Sequence, residues 1–140
     1  MSDILIMEDN VMLSRLLADS LEADGHTATI THDAKDAMSA LAAKPYDLLV
    51  ADVFVENDDR GRADGGILLI GRVRDAARRS VRNFSADMPI IAISAGFGDH
   101  VRISMEKLTK SVGATAFLKK PFAAGDFKGA VERALPPKAA

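Results

Sequence analysis

Five short apolar runs punctuate the chain: Ile4 to Met7 (ILIM), Thr27 to Ile30 (TATI), Asp47 to Ala51 (DLLVA), Pro89 to Ser94 (PIIAIS) and Ala114 to Lys119 (ATAFLK). Three are almost wholly apolar, as strands covered on both faces are, while the mixed TATI suits a sheet edge. Between the runs, apolar residues recur at helical spacing: Leu13, Leu16, Leu17, Leu21; then Ala34, Ala37, Met38, Leu41; then Val101, Met105, Leu108, Val112; then Phe127, Ala130, Val131, Ala134. A further helix, about 66–82, sets Leu69, Ile70, Val73, Ala76, Ala77 and Val81 on one arc. Arg72, Arg74, Arg78, Arg79 and Arg82 take the other. Asn10, Asp33 and Asp99 fit N-caps, and Gly25 and Gly113 stand where helices must stop. A strand-helix unit repeated five times predicts an α/β fold with a doubly wound, five-stranded parallel sheet. In such sheets ligands gather at the carboxyl ends of the strands.

Composition narrows the functional classes. At 140 residues the chain suits a single domain, expected over residues 1–136 with a short tail at 137–140. Hydrophobic residues at 48% and charged residues at 27% argue for a folded core. The net charge of -2 provides no bulk attraction to nucleic acid or an anionic membrane. Absence of cysteine excludes disulfides, thiolate zinc sites and cysteine nucleophiles. The acidic start MSDILIMEDN holds an apolar run too short for a signal peptide or a membrane span, so a cytoplasmic location is expected. His26, His32 and His100 lack metal-ligand spacing.

The chemistry lies at the strand ends. Glu8 and Asp9 close the first strand, Asp52 the third, Ser94 and Ala95 the fourth, and Lys120 precedes Pro121 after the fifth. Three converging carboxylates repel unless a hard cation neutralises them, and Mg²⁺ takes carboxylates, waters and phosphate oxygens. An ammonium and a hydroxyl beside them complete what a phosphoryl group requires. Each part alone has a plainer reading. Glu8 and Asp9 could open a helix, Asp52 could be a turn residue, Ser94 could bond nearby backbone, and Lys120 could be a solvated charge.

As a set, these motifs resemble the receiver domain of two-component response regulators, over Asp3 to about Leu135. The resemblance implies a flavodoxin-like (βα)5 fold with strand order 2-1-3-4-5. It implies that Asp52 accepts a phosphoryl group, and that Glu8, Asp9, Asp52 and the backbone carbonyl of Phe54 hold Mg²⁺ or Mn²⁺. Lys120 would pair with the acyl phosphate; it is chosen over Lys119 because it directly precedes Pro121, a bond often cis in the family. Ser94, Ala95 and Phe117 would form the switch. The implied phosphodonor is a sensor histidine kinase or a histidine phosphotransfer protein. With no room for an output domain, a stand-alone receiver signalling to a downstream protein is expected, as a monomer or weak homodimer, with no nucleic acid or membrane partner. It would be no enzyme beyond catalysing its own phosphorylation and slow dephosphorylation. A phosphorylation-independent receiver-like scaffold is the alternative.

The chain also departs from that pattern. Val55 and Glu56 stand where the family has Met-Pro, and Asp64-Gly65 come about five residues late, so ENDDRGRA reads as an insertion. The stretch RVRDAARRSVRNFSAD is long, AGFGDH is glycine-rich, and the arginines read as a solvated face pairing with the acidic loop in preference to a dock for an acidic partner. A phosphatase resembling the haloacid dehalogenases needs a second Asp where Phe54 stands, and no phosphate-cradling glycine loop is present. Neither Phe54 nor Gly96 can orient a hydrolytic water, which predicts slow dephosphorylation. A phosphoryl half-life of seconds or less in Mg²⁺ would contradict this, and Phe54→Asn should shorten the half-life measured by radiolabel or mass.

Overall fold

The computed structural model describes residues 1–53, 65–95 and 106–136. Five strands, β1 (Asp3–Met7), β2 (Thr27–Thr31), β3 (Leu48–Asp52), β4 (Ile90–Ala95) and β5 (Ala116–Lys120), form one parallel sheet in the order β2-β1-β3-β4-β5. TATI is therefore at an edge. The helices are α1 (Val11–Ala23), α2 (Ala34–Ala43), α3 (Gly65–Arg78), α4 (described over residues 106–112) and α5 (Ala124–Ala134).

Alternation along the strands divides the core in two. Leu5, Met7, Leu49, Ala51, Ile90 and Ala92 face α2 and α3, against Leu41, Leu69, Ile70 and Val73. Ile4, Ile6, Leu48, Val50, Ile91 and Ile93 face α1 and α5, against Leu17, Leu21, Phe127 and Val131. Asn10 and Asp33 cap their helices by accepting from Leu13 N and Asp36 N. Gly25 and Gly113, at φ +89° and +124°, make the stops that only glycine makes cheaply. Asp99, Val101 and Met105 lie outside the described residues, as do 54–64, 96–98 and the tail at 137–140.

The helical stripes needed correction. The buried arc of α1 is Ser14, Leu17, Ala18 and Leu21, and Leu16, about 150° from its centre at 100° per residue, is 60% exposed. Leu108 is also exposed. The middle helix stops at Arg78, earlier than its apolar arc suggested, because Ser80 enters the left-handed region at φ 59°. Ser80 N then donates to Ala77 O and Val81 N to Ala76 O, a pairing that closes the helix and leaves Val81 exposed.

Arg74 departs most from the expected solvated face. Its guanidinium is half-buried and donates to Gly113 O (3.0 and 2.9 Å), Met88 O (2.7 Å) and Ala86 O (3.2 Å). Burial lowers its pKa from the usual arginine value. It thus joins α3 to the start of β4 and the turn after α4. Arg74→Met keeps the stem but strands these carbonyls, and is expected to cost about 2–3 kcal/mol in urea denaturation.

Candidate functional site

Parallel register delivers the polar residues to one edge. Met7 pairs with Ala51, so Glu8 and Asp52 leave neighbouring strands at the same level, and Asp52 pairs with Ile93, one residue before Ser94. Glu8, Asp52 and Ser94 are all at most 2% exposed. Carboxylate oxygens of Glu8, Asp9 and Asp52 lie within 4.8 Å of one another.

Lys120 meets this cluster from β5. Its Nζ is 2.6 Å from Glu8 Oε1 and 3.4 Å from Asp52 Oδ2. Burial, the largest influence, pulls its pKa down; hydrogen bonding and charge from Glu8 and Asp52 together outweigh it and hold the ammonium above the ordinary lysine value. Lys119, its neighbour on the strand, projects to the other face, so the contact falls to Lys120. The Lys120-Pro121 bond is cis.

The other oxygen of Glu8, Oε2, accepts from Asn10 N at 3.1 Å, while the buried Oε1 is held by the 2.6 Å ion pair to Lys120. Three carboxylates this close, two of them buried and offset by a single ammonium, fit a hard divalent cation. Glu8, Asp9 and Asp52 are the side chains that could hold it.

Ala95 ends β4 in register with Lys120, and Phe117, half-buried, pairs with Ala92 and packs on the cluster shared with α2 and α3. Phe54, with the backbone carbonyl expected to ligate the metal, lies outside the described residues, as does Gly96.

Three supporting residues were not apparent from sequence. Thr31 Oγ1 donates to Ile6 O at 2.8 Å, and its carbonyl accepts from Glu8 N at 3.0 Å, fixing the end of β1 against β2. His32 Nδ1 lies 2.8 Å from Glu8 O. Gly66 places the first turn of α3 so close to β3 that a Cβ there would lie 2.2 Å from Asp52 O. The Gly65-Gly66 pair was the only sequence signal for that approach. A cavity of about 470 Å³, lined by Met1, His26, Lys128 and Leu135 among others, lies at the opposite end of the strands and shares no residue with the carboxylates.

A model of the response regulator receiver domain family matches residues 4–132. The chain is 32% identical over 133 residues to the nitrogen assimilation regulatory protein NtrX of Azorhizobium caulinodans, covering 95% of this chain and 26% of that protein. It spans less than half the length of the first curated relatives it matches. The receiver domain of NtrX from Brucella abortus superposes with a TM-score of 0.77 at 26% identity, covering 95% of this chain and 98% of that one. The chemotaxis response regulator CheY4 of Vibrio cholerae shares the fold, with a TM-score of 0.76 at 21% identity, covering 96% and 99%.

Proposed function

The chain belongs to the response regulator receiver domain family, and from that premise we propose that Asp52 is the phosphoacceptor of a two-component phosphorelay. Receiver domains are signalling modules of two-component systems rather than enzymes with a separate substrate. The observation that carries the reading is the meeting of Glu8, Asp9, Asp52 and Lys120 at the ends of three different strands.

In this reading residues 1–136 are the receiver. An Asp52 carboxylate oxygen attacks the phosphorus of a phosphohistidine on a sensor histidine kinase or a histidine phosphotransfer protein. The P–N bond breaks as the P–O bond forms, and the released imidazole takes up a proton. Glu8, Asp9 and Asp52, with the carbonyl of Phe54, would hold Mg²⁺ or Mn²⁺, which when bound supplies charge neutralisation for the incoming group. Lys120 needs little movement: its ammonium already contacts Asp52 and would turn to the phosphoryl oxygens. Ser94, followed by the small Ala95, would bond the phosphoryl group, and Phe117 would repack in response. The altered face would signal to a downstream protein from a cytoplasmic monomer or weak homodimer, without nucleic acid or membrane.

Incubation with Mg²⁺ and acetyl phosphate, followed by intact mass, tests this. A single phosphoryl adduct is expected in the wild type and none in Asp52→Ala, with beryllofluoride shifting the NMR signals of Ser94 and Phe117 in the wild type alone. An adduct that survives Asp52→Ala, or no adduct in either, would refute the assignment and favour a phosphorylation-independent scaffold.

A further inference from the structure

Charge is unevenly divided along this chain. Residues 72–87 carry five arginines against two aspartates, a local excess of three positive charges, while the remaining 13 basic and 18 acidic residues leave the rest at -5. Arg74 is consumed by backbone carbonyls. Arg72, Arg78, Arg79 and Arg82 are exposed, and Asp75 offers only an exposed contact to Arg79 at 3.4 Å. No acidic side chain among the described residues pairs with Arg72, Arg78 or Arg82.

The surface bearing them is built rigidly. Leu68 and Arg72 share one outward stripe of α3, at i and i+4, with Asp75 at i+7, and Arg79 follows directly on the helix's last residue. The turn beyond is held by left-handed Ser80 and Asn83, at φ 59° and 74°, and Asn83 Nδ2 donates to Ala42 O at 2.7 Å. Two apolar side chains sit among the arginines, Leu68 at 49% and Val81 at 41% exposure. An arginine in the last turn offsets the helix dipole, which accounts for Arg78 but not for Arg72, in the middle of α3, or Arg79 and Arg82, beyond it.

We propose that this face, Leu68, Arg72, Arg78, Arg79, Val81 and Arg82, docks an acidic, amphipathic segment of another protein. Guanidinium forks match carboxylates in bidentate pairs, and Leu68 and Val81 offer the apolar contact such a segment needs. A nucleic acid is the poorer match. Three net charges release few counterions, the rest of the chain repels phosphates, and the two apolar side chains gain nothing from them. The face runs along α3 from Leu68, about 3 Å along the helix axis from Gly66, to Arg79, roughly 20 Å from it.

The test is an NMR titration of the ¹⁵N-labelled full chain with a blocked synthetic peptide of glutamate and leucine at helical spacing. Amide shifts are expected at Leu68, Arg72 and 78–83. Arg72→Gln/Arg79→Gln/Arg82→Gln should weaken the peptide about tenfold, and added salt should weaken it in the wild type. Shifts confined to other residues, unchanged affinity in the triple variant, or tighter binding of a short DNA duplex would overturn the proposal. Should the triple variant not fold, salt-insensitive binding to the wild type would overturn it equally.

Discussion

Gly66→Ala is expected to lower stability by about 3 kcal/mol or more, the upper end of what overpacking costs, and to weaken Mg²⁺ binding at least tenfold. The added methyl would lie 2.2 Å from Asp52 O, 2.5 Å from Val53 Cα and 2.7 Å from Asp52 C. All three are backbone atoms in a fully buried strand end, so no rotamer change relieves the clash. Either α3 lifts away from the sheet or the end of β3 is displaced, and the second option moves the Asp52 carboxylate relative to Glu8 and Asp9. Gly71 is the internal control. Nothing lies within 4 Å of a Cβ there, so Gly71→Ala in the same helix should stabilise by about 0.5–1 kcal/mol. Urea denaturation and Mg²⁺ titration of both variants check the pair. A Gly66→Ala protein as stable as the wild type would show that β3 and α3 are not held in this contact.

The contrast between those glycines marks where sequence reading runs out. Strand order and the two-layered core were legible because apolar runs and helical spacing are one-dimensional patterns, and the topology rules then carry Glu8, Asp52, Ser94 and Lys120 to one edge. What a residue meets across elements is not such a pattern. Arg74 stands among arginines that are exposed, yet only the turn at Gly113 and the start of β4 make it a structural donor. Leu16 looked like core because leucines cluster in α1, but the buried arc is set by the sheet beneath, which selected Ser14 and Ala18 in its place. His32 reached Glu8 O by a strand pairing of β2 with β1 that no local motif encodes.

Lys120→Met should separate two roles that coincide in one ammonium. In the folded chain Lys120 is the cation in contact with Glu8 and Asp52, both essentially inaccessible to solvent. Removing it leaves three carboxylates within 4.8 Å, and breaking a buried pair of this kind costs about 3–5 kcal/mol without divalent metal. Millimolar Mg²⁺ should return much of that loss, since an ion that binds only the folded state stabilises it by mass action. The variant should also bind Mg²⁺ more tightly than the wild type, because the ammonium no longer competes for the same oxygens, yet accept a phosphoryl group from acetyl phosphate more slowly by two or more orders of magnitude, roughly the effect of losing one preorganised charge contact. The pH dependence has a definite sign. The folded-state pKa of Lys120 is raised above 10.5, so its contribution is complete at neutral pH and is lost as pH climbs through that raised value. Wild type and variant should therefore differ most below about pH 10 and converge in stronger alkali. Urea denaturation with EDTA and with Mg²⁺, Mg²⁺ titration and phosphorylation by intact mass give the four readouts. Equal stability of the two proteins in EDTA would mean that the ion pairs hold nothing together. Weaker Mg²⁺ binding in the variant would mean that Lys120 positions the carboxylates instead of competing for them.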